Sequence, residues 1–163
     1  MPAKPKPVRA ARSSQREIEA RWGEPALSQG FTAIPNVLLR YCNELELDSL
    51  DLAIVMHLAS YWWDSGRLPH PSKGRIAMAL NVDPRTVQRR IKAMEERGHI
   101  KRKARRSRAG DNDTNEYDLS GLVKEAGRLG ARERDRKKTR AEEDDALMAT
   151  PKSAALKVVK GGK

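Results

Sequence analysis

Apolar residues crowd more than one face of the stretch from Leu50 to Trp63, where Leu52, Ala53, Val55, Met56, Leu58, Ala59 and Trp62 recur too densely for a helix with a wet side. Such a segment predicts the central core helix of a small domain, capped at Asp48 or Ser49. Pro35 opens another predicted helix that continues to about Leu45. Downstream the pattern narrows to a single stripe. At roughly 100° per residue, Val87, Ile91 and Met94 share one face, while Arg85, Thr86, Gln88, Arg89 and Lys92 fall opposite it or on its flanks. Asp83 is a fitting N-cap, Pro84 suits the first helical position and Gly98 tolerates the left-handed exit, so this helix is predicted over Pro84 to Arg97. Ahead of it, Ser72 caps a shorter helix reaching Leu80, with Ile76, Ala77 and Leu80 turned toward the stripe.

Two helices joined by Asn81-Val82-Asp83 form a helix-turn-helix in outline. After Gly98, a strand is predicted from His99 to Arg106, a polar loop from Ser107 to Thr114 and a returning strand from Asn115 to Leu119. A basic hairpin behind a recognition helix is a winged helix. The expected fold is therefore mainly α with a small β-hairpin: a winged helix-turn-helix domain over residues 30–122. A flexible basic arm, residues 1–29, is expected to precede it, mostly disordered apart from a short helix from Gln15 to Trp22, with Trp22 free to dock on the domain. A charged extension, residues 123–163, is expected to be partly helical and then disordered. Across that boundary, Leu122, Val123, Ala126 and Leu129 have the spacing to close the domain or to form a dimer contact.

The segments Phe31-Thr32-Ala33-Ile34-Pro35, Leu50 to Trp63, His70-Pro71-Ser72, Val82 to Ile91 and Asn115-Glu116-Tyr117 together resemble the winged helix-turn-helix domains of bacterial plasmid, phage and integrative-element proteins. That group includes replication initiators, replisome organisers and small regulators. The resemblance spans Gly30 to Leu122, and it implies the fold and double-stranded DNA as partner. One departure is Asp83, where such domains carry Ser before the Pro; the cap survives, and a negative charge is placed near the phosphates.

Charge sharpens this reading. The chain carries 33 Lys and Arg against 22 Asp and Glu, a net +11. Residues 84–108 hold 11 basic and 2 acidic groups, whereas residues 30–83 hold 4 and 6. The positive field thus sits on the predicted recognition helix and wing, as a polyanionic partner requires. Arg85, Thr86, Gln88, Arg89 and Lys92 are the candidates for reading base edges. Ser72, Lys73, Arg75 and Arg90, with Lys101, Arg102, Lys103, Arg105, Arg106 and Arg108 on the wing, are the candidates for phosphate contact.

Other chemistry is not encoded. There is no phosphate loop, dinucleotide fingerprint, zinc spacing or nucleophile with a base, so no cofactor or metal is expected and the chain reads as a binder. No second ligand stands at a metal spacing from His57, His70 or His99. Cys42, among leucines, is expected to be a buried reduced thiol. With no run of 18 apolar residues and no signal peptide, the expected location is the cytoplasm, on the nucleoid when DNA-bound. A single winged helix reads few base pairs, so a homodimer or higher assembly on repeated half-sites is expected, with the C-terminal tail as the candidate for a protein partner. Regulation of a mobile element's promoters is the leading functional expectation. Replication initiation, replisome organisation or plasmid maintenance at repeated origin sites is the alternative.

Overall fold

The computed structural model describes residues 9–64, 66–105 and 114–149. Residues 1–8 and 150–163, where disorder was expected, and the wing loop with Arg106 and Arg108 lie outside the described residues. In chain order the elements are α1 (Arg9–Trp22), α2 (Glu24–Leu27), α3 (Asn36–Arg40), α4 (Ser49–Ala59), α5 (Lys73–Leu80), α6 (Pro84–Glu96), β1 (Lys101–Lys103), β2 (Glu116–Asp118) and α7 (Ser120–Ala149). The fold is the expected one, mainly helical with a two-stranded antiparallel hairpin that puts Arg102 opposite Tyr117.

The helix-turn-helix forms from its own caps. The Ser72 hydroxyl accepts from the Arg75 amide at 3.1 Å, and the Asp83 carboxylate from the Arg85 amide at 2.7 Å. Asn81 adopts the left-handed conformation at φ 52°, and the Val82 amide returns to the Ala77 carbonyl at 3.0 Å. This turn sets α5 against α6, and Val87, Ile91 and Met94 are all buried against Ile76, Ala77 and the Ile54, Val55 and Leu58 face of α4. Each such fully buried side chain stabilises the fold by about 1.5–3 kcal/mol.

Two helices are shorter than the sequence suggests. α3 stops at Arg40 rather than Leu45, and the chain turns through Glu46 at φ 51°, where the Leu47 amide bonds the Cys42 carbonyl at 2.8 Å. Past Arg40 the chain continues in turns, with the Leu45 amide on the Tyr41 carbonyl at 3.0 Å, and Leu45 and Leu47 are both buried. Cys42 is free and half-buried rather than fully buried. α4 ends at Ala59, one turn before Trp63. There the Tyr61 and Trp62 amides reach back only three residues, to the Leu58 and Ala59 carbonyls, and Trp62 and Trp63 leave the core.

The N-terminal end also differs from expectation. α1 begins at Arg9 instead of Gln15, and Trp22 does not dock but stays mostly exposed. At the other end the first turns of α7 close the domain, one of the two roles their spacing allows. Leu122, Ala126 and Leu129 lie on one face of α7 and are buried. The Tyr41 hydroxyl donates to Glu133 at 2.6 Å, and Arg132 pairs with Glu44, which tie α7 to the turn after α3. From Arg134 to Ala146 every side chain is exposed.

The start of α7 is tightly fitted. A Cβ on Gly121 would lie 1.9 Å from the Gly98 carbonyl oxygen, while the Leu122 amide donates to the His99 carbonyl at 3.0 Å. Gly121→Ala should therefore cost about 2 kcal/mol, since backbone on both sides must shift. Urea unfolding reads this as a lower midpoint at unchanged slope; an unchanged midpoint would show that α7 does not approach this corner so closely.

Candidate nucleic-acid interface

Burial of Val87, Ile91 and Met94 fixes how α6 is rotated, and the rotation leaves Arg85, Gln88, Arg89 and Lys92 exposed, with Thr86 half-buried beside them. Arg85 and Arg89 have no ion-pair partner among the described residues. Lys92 lies 3.7 Å from Glu96, but both are exposed and such a pair holds weakly. The Gln88 amide oxygen accepts from the Lys73 ammonium at 2.9 Å. Pairing with adenine requires both the oxygen and the nitrogen of Gln88, so base contact has to release Lys73, and the freed ammonium is then available to a phosphate.

A cleft continues from that point. About 350 Å³ in size, it runs between the start of α5 and the wing and brings Ser72 and Lys73 together with Arg105, Thr114 and Asn115. Positive ends of helices attract anions, and here a helix start and two cations border one opening. Arg75 is exposed one residue beyond Gly74 on the same first turn of α5.

The structure does not bring all the expected phosphate contacts to this surface. Arg90 turns inward, 2.5 Å from the Asp48 carboxylate and 3.9 Å from that of Asp51, because its position on α6 flanks the buried stripe beside the start of α4. Arg102 is the inward-facing residue at the centre of β1. Its Nε donates to Glu95 at 2.7 Å and its amide to the other carboxylate oxygen at 3.2 Å. In the structure both arginines are internal ties between elements. Lys103 lies 3.6 Å from Asp118, and Lys101 borders a separate cavity with Glu44, Glu46 and Glu125 near α7.

Sequence reasoning missed one group. Asp51 is a buried carboxylate, and the Arg97 guanidinium donates to it at 3.1 Å, joining the start of α4 to the end of α6. The partners stand 46 residues apart, so no local pattern announces them.

These ties also set the acid response. Bonds from Arg102 hold the Glu95 carboxyl below its usual range, and the Asp51 amide, then Arg90, do the same for Asp48. Carboxyl groups lowered by folding stabilise it above their unfolded values, and the contribution disappears as pH falls through the lowered ones. Melting temperature should thus drop below about pH 4, and Glu95→Gln should blunt the drop.

The same geometry separates two sets of basic residues experimentally. Each phosphate contact contributes about −0.9 to the slope of log affinity against log salt. A Lys73→Ala, Arg105→Ala double variant should weaken binding to every sequence alike and flatten the slope by up to about 2 units. Arg102→Ala should leave the slope alone and lower stability. A slope changed by Arg102 and untouched by the double variant would reverse the assignment.

Among the described residues, no group of three or more His, Cys, Asp or Glu is placed to hold a metal, and no helix is long and apolar enough to cross a membrane. The His57 ring rests 5.5 Å from that of Tyr61, with its pKa lowered by burial, and the buried His99 has its Nε2 2.8 Å from the Leu45 carbonyl oxygen.

No curated protein matches the chain. Among solved structures it is similar to the crystal structure of the N-terminal domain of DnaD protein from Geobacillus kaustophilus HTA426, at 21% identity and a TM-score of 0.49, over 77% of this chain and 96% of that one. Residues 45–100, from the turn before α4 to the residue before β1, match the profile of a helix-turn-helix domain family, which supports DNA binding through α5 and α6.

Proposed function

We propose that the protein is a sequence-specific binder of double-stranded DNA that regulates the promoters of a bacterial mobile genetic element, acting by occupancy and without catalysis. The observation that carries this reading is the outward face of α6, where Arg85, Gln88 and Arg89 stand exposed in line with the Ser72, Lys73 and Arg105 cleft. Donors able to pair with base edges are thus flanked by cations able to hold the backbone. A protein that sensed only shape would have no use for the Gln88 amide or the Thr86 hydroxyl. Copies pair on repeated half-sites, because one recognition helix reads only a few base pairs. The protein acts in the cytoplasm, on DNA.

A second reading is favoured by α7. Its exposed part from Arg134 to Ala146 touches no core and presents charge on every side, as helices that bridge separate bodies do. Such a rod suits delivery of replication or maintenance machinery to an origin. Chromatin immunoprecipitation with sequencing in the source cell separates the two. Peaks at promoters support regulation, peaks over an origin repeat array support the second reading, and an even spread would contradict both.

A further inference from the structure

Three of the four largest exposed aromatic surfaces in the described chain are tryptophans, and Gly30 and Ala33 link the depressions they border. Trp22, Phe31 and Trp63 are 71%, 51% and 73% exposed, and Trp62 is 37% exposed. Trp22 and Phe31 border one depression with Gly30 and Ala33. The Trp63 ring lies over Gly30, so close that a Cβ there would come within 2.9 Å of it. From Ala33 the surface continues into a groove of about 430 Å³ between α3, α4 and α7, with Ile34, Val37, Trp62, Val123 and Gly127 among its walls. No residue of α6 or of the hairpin strands lines either depression.

Counting about 200 Å² for a whole aromatic side chain, these four rings leave roughly 450 Å² of apolar surface in water. The largest patch on an ordinary monomer is about 300–600 Å², and it is commonly functional. A standard interface covers roughly 800 Å² per partner, of which roughly 500 Å² is apolar. The patch therefore has the area that one side of a dimer needs. It also carries exposed rings and a hollow on one face. Trp63 and Phe31 make a ridge, the α3, α4 and α7 groove makes a hollow, and Gly127 opens the hollow, since a Cβ there meets nothing within 4 Å.

We propose that this face joins two copies of the chain, the ridge of each entering the groove of the other about a two-fold axis. It rests on the reading that copies pair on repeated half-sites, and it names the surface that pairs them. An isologous contact requires ridge and hollow on the same patch, which a heterologous partner does not. The arrangement leaves both α6 helices free for DNA.

Sedimentation velocity of the full chain over a concentration series tests this, with wild type, Val123→Glu and Trp63→Ser, and with acrylamide quenching of tryptophan alongside. The wild type should be dimeric, with its tryptophans shielded. Val123→Glu should associate about 30-fold more weakly or worse, as at a buried hot spot, while keeping its helical circular dichroism and its binding to a single half-site. Trp63→Ser replaces an exposed ring, so it serves if Val123→Glu does not fold. A dimer indifferent to both variants overturns this surface and leaves pairing on DNA intact. A monomer with quenchable tryptophans overturns the proposal, and so does a monomer with shielded ones, which has closed the groove with its own α1. Loss of half-site binding by the wild type counts against the DNA reading instead.

Discussion

Arg89→Ala should weaken binding to a selected site by about 5- to 150-fold and leave binding to scrambled DNA nearly unchanged. The expectation follows from rotation and chemistry together. Val87 and Ile91 are locked in the core, so Arg89 has nowhere to point but outward, and no carboxylate among the described residues competes for its guanidinium. A bidentate arginine on guanine is worth about 1–3 kcal/mol of discrimination against the wrong base, which is the stated range in affinity. Gln88→Ala should act in the same direction. It also frees Lys73, whose ammonium bonds the Gln88 oxygen in the unliganded protein, so part of the lost affinity should return as a sequence-independent gain. Fluorescence anisotropy on both DNAs reads the two terms separately. Equal losses on selected and scrambled duplexes would reduce the helix to a phosphate contact.

Arg97→Ala should destabilise the helix-turn-helix by about 3 kcal/mol, because it leaves the Asp51 carboxylate buried without its closest cation. Arg90 stands 3.9 Å from the other oxygen and is already engaged by Asp48, so it compensates poorly. The loss should be read by urea unfolding. Replacing both partners, as Asp51→Leu with Arg97→Met, should recover most of it, since two apolar groups need no compensation. A single variant as stable as the wild type would show that the pair is solvated and that burial of Asp51 costs nothing.

Much of the fold was legible because its signals are local. Ser72, Asn81, Asp83, Pro84 and Gly98 each act within a turn of themselves, and the stripe of Val87, Ile91 and Met94 needs only helical periodicity. The same stripe fixed which residues of α6 face outward. What local pattern does not contain is competition from distant partners. Charge alone makes Arg90 and Arg102 candidates for DNA contact, and only the fold brings Asp48 and Glu95 beside them. The turn after α3 runs through Glu46 at φ 51°, and periodicity within the helix gives no hint of it. The expected core helix ran on to Trp63 because tryptophan reads as interior. Here Trp62 and Trp63 instead belong to an outer face shared with Phe31.

The central claim, that α6 reads sequence, is tested most directly by selecting binding sites for the full chain from a pool of random duplexes. The account predicts convergence within a few rounds on a short motif, with guanine and adenine fixed at adjoining positions. It also predicts that Arg89→Ala selects the same motif with the guanine position relaxed. A pool that stays random, bound with an affinity that depends only on salt, would contradict it.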